Sequence, residues 1–431
     1  MRKIILKSSN YIYKRLFKQN LSENEEKFIL NVSWVSLGVI IAKIMMYVIH
    51  ALAGRFLGPE IYGEANLIVS IAMFLSIPLT IFAGNHGLIK YFQESDCEIE
   101  KKKFFSTNTI ALFFSGTLFY LLFFFFRETL SFSLGISVDL LLWAIIFSFF
   151  SILMSFSETA LRMLFLFKEM SIVELFSTAL ATMVFFLLLM QNNSIGLLII
   201  PLITMRLLYF LGGIKYLINY FWLKFDMKIF IKTFNYNKYI ILTNISGVLI
   251  TNIDKIMLNY FFGTSSVGIY QAYFFSSTVI IGVLITIFVH VFFPTIIKIK
   301  DKINVLKKLD VLLLMSVFII FVVMLPVSFI TIKYVYGYQI LLFPLLISVL
   351  FSAVLPAQII QGQYLMSLNI EGAKQFFIGS LIQSIINVIL NIIFIPLWMV
   401  SGAFFATFIT GIIGYIYFRY YSSKLSQKLN E

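Results

Sequence analysis

Charge is what this sequence has least of. Only 12% of its 431 residues are Asp, Glu, Lys or Arg, against roughly 25% in soluble domains, and the mean hydropathy is +0.95. A water-soluble globular chain is excluded. The single cysteine, Cys97, allows no internal disulfide and implies no redox role. Three histidines and one cysteine offer no zinc-ligand spacing, and the chain has no phosphate-binding glycine loop or nucleophile–base arrangement. No cofactor or metal is expected. Long polar segments between apolar runs are missing too, so there is no room for an extracytoplasmic catalytic domain.

The remainder is 60% hydrophobic, with 49 Phe, in runs of roughly 20 residues, the length that crosses a hydrocarbon core about 30 Å thick. The runs are continuous rather than alternating, which excludes a membrane β-barrel. They fall at 28–54, 61–85, 104–126, 138–158, 172–190 and 195–214, then at 239–262, 267–293, 309–332, 340–362, 375–395 and 399–418. The expected fold is all-α and polytopic, with about 12 transmembrane helices in two six-helix lobes (28–214 and 239–418). A basic tail (1–27), a linker (215–238) and a second tail (419–431) complete it. The first tail suits an interfacial helix on anionic lipid or a solvated segment equally well. Ala51-Leu52-Ala53 imitates a signal-peptide cleavage site, but the run before it is too long and carries Lys43, so it reads as uncleaved.

Cytoplasmic loops are enriched in Lys and Arg. Placing the N-terminus inside assigns 28 of the 33 Lys and Arg to the tails and alternate loops, with both termini cytoplasmic. This topology accounts for most of the +13 net charge, which therefore argues little for nucleic acid.

A short polar hinge between the first two runs, Arg55-Phe56-Leu57-Gly58-Pro59-Glu60-Ile61-Tyr62-Gly63, returns as Tyr260-Phe261-Phe262-Gly263-Thr264-Ser265-Ser266-Val267-Gly268. Gly58 and Gly63 align with Gly263 and Gly268 at one constant offset, and Thr80-Ile81-Phe82 returns as Thr286-Ile287-Phe288 within a residue of it. Gly58 suits a left-handed helix stop, and Pro59 cannot continue a helix. Two copies at half-chain spacing indicate an internal repeat. With an even number of spans per half, the repeat is parallel, leaving a cavity between the halves as a candidate site.

Charges deep in a bilayer cost about 2.5–3.5 kcal/mol each on insertion scales, so those that persist mark function or a partner. On the first helix Ser36, Lys43, Tyr47 and His50 share one face. On the seventh, Asn244, Asn252, Lys255 and Asn259 do, and Lys255 aligns with His50 by the repeat offset. Asp254 points about 100° away from Lys255, free to pair with Lys43 or to bind a coupling ion. His290 is titratable on the eighth, Asn66 and Gln271 are repeat-equivalent, and Gln383, Asn387 and Asn391 form a stripe on the eleventh. Snorkelling or interhelical hydrogen bonding is the alternative for Lys43 and His50, and helix packing for the amide stripes. Arg206, Glu158, Arg162 and Lys90 read as surface residues at cytoplasmic helix ends.

The hinge and its repeat, together with Asn252-Ile253-Asp254-Lys255-Ile256-Met257-Leu258 and Gly268-Ile269-Tyr270, resemble the signature regions of Wzx-type polysaccharide flippases. These belong to the MOP superfamily, which also holds the MATE exporters and the lipid II flippases. Thr264-Ser265-Ser266 departs from the Pro-Glu turn of the first copy. The resemblance implies a transporter, not an enzyme. It would move an undecaprenyl-diphosphate-linked oligosaccharide of the O-antigen, lipopolysaccharide or capsule type across a bacterial inner membrane, with H+ or Na+ as a possible coupling ion and other glycan-assembly membrane proteins as partners. Lys43, His50 and Lys255 would hold the diphosphate. Asn252, Asn259, Gln383 and Asn387 would contact substrate, and Asp254 would serve ion coupling. An ion-coupled exporter of small molecules remains the nearest alternative, then a membrane glycan polymerase or ligase.

Overall fold

The computed structural model describes residues 23–80, 88, 91–92, 95–191, 194–221, 224–298 and 302–428. The basic tail at residues 1–22, Lys90, the Ile81-Phe82 part of the repeat, and the side chains of Ser36, Asn244 and His290 lie outside what is described.

All regular structure among the described residues is helical. In the first half α1 spans Glu23–Thr80, α2 Glu98–Phe125, α3 Arg127–Leu134, α4 Val138–Met163, α5 Phe167–Leu189 and α6 Gly196–Leu217. In the second, α7 spans Met227–Phe262, α8 Thr264–Phe274, α9 Ile280–Lys298, α10 Lys302–Ile330, α11 Leu342–Leu368 and α12 Ile370–Lys428, with π-helical turns at Phe275–Val279 and Thr331–Tyr336. Nine described helices are long and apolar enough to cross a membrane. Two of these hold two runs each. α1 has 58 residues and α12 has 59, which at 1.5 Å per residue is near 90 Å, about three times a hydrocarbon core. Each is broken once, at Gly58 (φ 70°, ψ 173°) and at Met399 (φ 50°, ψ −126°). α7 carries the run at 239–262 together with its polar residues.

Gly58 does not adopt the left-handed helical stop expected of it. Its φ is positive, but its ψ places it in a region that essentially only glycine enters. Gly263, between α7 and α8, has nearly the same backbone at φ 79° and ψ 177°, so the two hinge glycines of the repeat are conformational equivalents. The connection at 215–238 is mostly helical: it closes α6, makes a 3-10 turn at Ile218–Tyr220, and from Met227 runs on into α7. Asp226 starts that helix by accepting the Lys228 and Ile229 N–H groups.

Buried apolar residues gather into one main cluster per half. The first joins α1, α4, α5 and α6 and reaches Ala272 and Tyr336 of the second half; the other joins α7 to α12. α1 lies at the meeting of the two, packing on α4, α5 and α6 and also on α7, α8 and the Thr331–Tyr336 turn.

The hinges touch each other. A Cβ on Gly63 would lie 1.8 Å from the Thr264 carbonyl oxygen, and one on Gly268 would lie 1.9 Å from that of Pro59. Pro59 and Thr264 are repeat partners, as are Gly63 and Gly268, so the contact is reciprocal. Hydrogen bonds from the π-helical turn add to it. Tyr338 donates to the Gly54 carbonyl at 2.7 Å, Arg55 to the Tyr334 carbonyl at 2.8 Å, and Tyr47 to Thr331 Oγ1 at 3.3 Å. This end of the bundle is closed.

Candidate functional site

Behind that seal lies a cavity of about 450 Å³ between the halves, walled by α1, α4, α5 and α6 on one side and by the Phe275–Val279 turn and α9 on the other. The spacing read along the first helix holds: Lys43, Tyr47 and His50 all line it. So do Arg206 of α6 and Glu174 of α5. Among the described residues, every charged group on its wall comes from the first half. The second half contributes neutral groups such as Phe275, Val279 and Thr286.

His50 is buried, stacked on Phe275 with centroids 4.2 Å apart, and its Nδ1 lies 3.3 Å from the Tyr62 hydroxyl. Lys43 and Arg206 line the same cavity. Arg206 is fixed in the wall: its Nε donates to Ser151 Oγ at 2.9 Å, Nη1 donates to the Leu202 carbonyl at 2.8 Å, and the guanidinium lies 4.0 Å from the centre of the Phe147 ring. Glu174 lines the same cavity as Lys43, while Glu158 and Arg162 pair with each other along α4.

Arg206 and Glu174 are the residues sequence reading missed. α6 continues to Leu217, which puts Arg206 about 16 Å inside the helix end at 1.5 Å per residue rather than at a surface. α5 begins at Phe167, five residues before the apolar run, so Glu174 lies two turns in. Ser171, Ser177 and Thr178 share its helical face and are buried. That polar stripe was the available signal.

A second polar cluster sits wholly inside the second half. Asp254 is 1% exposed and does not pair with Lys43. It faces α8 and α12, where its carboxylate accepts hydrogen bonds from Tyr270 (2.5 Å), Asn391 and Thr407 (3.4 Å each). Asn391 also donates to Asn387 Oδ1 at 3.0 Å, while its own Oδ1 is buried with no partner. Gln383, one turn before Asn387, accepts from Gln358 at 2.5 Å. Gln383 and Asn387 are thus buried between helices of the second half rather than lining the cavity, because the α12 stripe faces α7 and α11.

Lys255 turns the other way from Asp254, as its helical position requires. Its Nζ donates to the Thr251 carbonyl and to Asn252 Oδ1, both at 3.2 Å. Asn252 therefore holds Lys255 rather than lining the cavity. Asn259 belongs with the hinge, its carbonyl accepting the Gly263 N–H at 2.9 Å. No group of three or more His, Cys, Asp or Glu among the described residues could hold a metal ion.

The sequence matches the family model described as polysaccharide biosynthesis protein over residues 28–300, more than half of the chain. The chain belongs to that family. No curated protein matches its sequence. Solved structures share its fold. A MOP superfamily transporter from Pyrococcus furiosus, described as having a binding pocket of reverse polarity, is 13% identical over 93% of this chain and 96% of its own, with a TM-score of 0.62. The lipid II flippase MurJ, in an inward closed conformation, is 18% identical over 92% and 90%, at 0.58. An inward-facing multidrug resistance MATE family transporter is 11% identical over 91% and 99%, at 0.60. The solved structures with this fold are transporters, and this member of the family is an all-α multi-pass membrane protein.

Proposed function

We propose that this member of the polysaccharide biosynthesis family flips a diphosphate-linked lipid oligosaccharide of the undecaprenyl type from the inner to the outer leaflet of a bacterial cytoplasmic membrane. The glycan would be an O-antigen- or capsule-type repeat unit. One observation carries the reading: Lys43, Arg206 and His50 stand on one wall of a sheltered cavity, with Glu174 the one acid among its described residues. A diphosphate carries about two negative charges and needs cations where water is scarce. Lys43 and Arg206 supply the charges, and the neutral opposite wall lets the second half move past without breaking ion pairs.

The bundle would alternate access by rocking its two six-helix lobes about the hinge glycines. In the orientation that keeps both termini cytoplasmic, the closed hairpin end is outside and the cavity opens inward. Releasing Gly63 from Thr264 and Gly268 from Pro59, with the Tyr338–Gly54 bond, would open the outer side. Lys255, the repeat counterpart of His50, is held by Thr251 and Asn252 away from the cavity wall and would move with α7. Asp254 on the same helix turn, with the Tyr270 and Thr407 hydroxyls beside its carboxylate, is the group that would take up H+ or Na+.

The test is deletion in the native host, followed by assignment of the leaflet on which the lipid-linked oligosaccharide accumulates. Build-up on the cytoplasmic side with loss of surface glycan is the expected result, and normal glycan would overturn the reading. Glu174 gives a specific reason to keep a cation exporter as second reading. If the Glu174→Gln variant loses tolerance of cationic drugs while surface glycan is intact, the exporter is correct.

A further inference from the structure

A separate pocket of about 340 Å³ lies at the other end of the bundle, where the starts of α2 and α7 meet. α7 runs from Met227 toward the hinge at Gly263, so its start is the end opposite the seal, the cytoplasmic one in the proposed orientation. The volume falls in the range of small-molecule sites, and the pocket has no part in the cavity between the halves.

Its cations are Lys103, Lys228 and Lys232. The Lys232 ammonium stands 4.3 Å from the centre of the Tyr91 ring and 5.6 Å from that of Phe104, two rings stacked 5.8 Å apart. Aromatic faces hold an ammonium by electrostatics and leave its N–H groups free to donate. Two acids also line the pocket, and both are already engaged with other donors. Glu100 accepts from the Ser95 hydroxyl at 2.8 Å, and Asp226 caps α7 by accepting from the Lys228 and Ile229 backbone N–H groups. None of the three lysines forms an ion pair among the described residues.

We infer that this pocket is a binding site for a phosphate group, presented by the headgroup of an anionic membrane lipid and held by Lys103, Lys228 and Lys232 above the Tyr91–Phe104 floor. The aromatic floor places the site at the membrane–water boundary, where such rings concentrate. Because it joins the first half to the start of the second, a bound headgroup would bridge the two halves on the side that must close when the outer side opens. The assignment is independent of what the cavity transports.

The experiment is native mass spectrometry of the full chain purified in detergent, with phosphatidylglycerol and phosphatidylcholine of identical acyl chains. A lysine near an anionic lipid surface contributes about a fivefold factor. The triple variant Lys103→Gln, Lys228→Gln, Lys232→Gln should therefore lose phosphatidylglycerol retention by about tenfold or more. The matching triple Lys→Arg variant should keep it, separating charge from packing. A control that removes three other cations, Lys374→Gln, Lys424→Gln, Lys428→Gln, should leave retention unchanged. Equal loss in the control, or no preference for phosphatidylglycerol over phosphatidylcholine in the parent chain, would overturn the site. Displacement of the lipid by millimolar inorganic phosphate would overturn the lipid source and assign the pocket to a soluble phosphate.

Discussion

Arg206 shows how much one side chain's surroundings decide. Anchored by Ser151, the Leu202 carbonyl and the Phe147 ring, it presents a preoriented guanidinium, whereas Lys43 is an exposed cation on the cavity wall. Hydrogen bonds to charged groups contribute about 1.5–3 kcal/mol. Arg206→Ala should thus slow flipping by roughly 10- to 100-fold in a reconstituted assay, with Arg206→Lys recovering only part because the planar fork is lost. Lys43→Ala should give a smaller decrease. Full-rate flipping by either alanine variant, with normal membrane insertion, would remove that residue from the mechanism. At Asp254 the expectation differs: Asp254→Asn keeps the size and the Tyr270 contact but removes the charge. Flipping should then become independent of the H+ or Na+ gradient, as read by transport with and without each ion.

The hinge glycines act together as elements. Gly63 and Gly268 are both pressed against carbonyl oxygens of the opposite hairpin, while Gly58 and Gly263 have open space within 4 Å of where a Cβ would sit but need a positive φ. Gly63→Ala and Gly268→Ala should each destabilise the closed hairpin end by about 1–3 kcal/mol, the usual cost of overpacking. The measurement is accessibility of the hinge to a membrane-impermeant thiol reagent at Glu60→Cys in a Cys97→Ser background, which should rise in both variants. Tyr338→Phe, which loses only the bond to the Gly54 carbonyl, should shift the same readout by a smaller amount, in line with about 0.5–1.5 kcal/mol for one hydrogen bond. Unchanged labelling in the glycine variants would mean that this contact is not what closes that end.

For the molecule as a whole, the proposed function makes electrostatics the force that would set the direction of transport. Moving about two negative charges outward down an inside-negative potential of about 100 mV releases roughly 4–5 kcal/mol, at about 2.3 kcal/mol per charge. Among the described residues the cations of the cavity belong to the first half, so on the proposed function the substrate would leave without carrying its counter-charges. Flipping in proteoliposomes should therefore accelerate when an inside-negative potential is imposed. Equal rates with and without potential would show that the charges cross compensated.

The sequence by itself determined the helical membrane class, the positions of the runs and the repeated hinge. Bilayer thickness and the cost of unpaired backbone groups leave few alternatives to an apolar run of that length, and glycine alone tolerates the backbone found at Gly58 and Gly263. It also placed Lys43, Tyr47 and His50 on one face, because helical periodicity is a local property. Which wall that face meets was decided only by tertiary structure. Gln383, Asn387 and Asn391 are an equally regular stripe, yet they turn into the second half toward Asp254, since a stripe carries no information about its partner. Arg206 and Glu174 were hidden for a related reason: apolar composition underestimates where a helix begins or ends, so their depth became visible only once α5 and α6 had their full lengths and packed around one cavity.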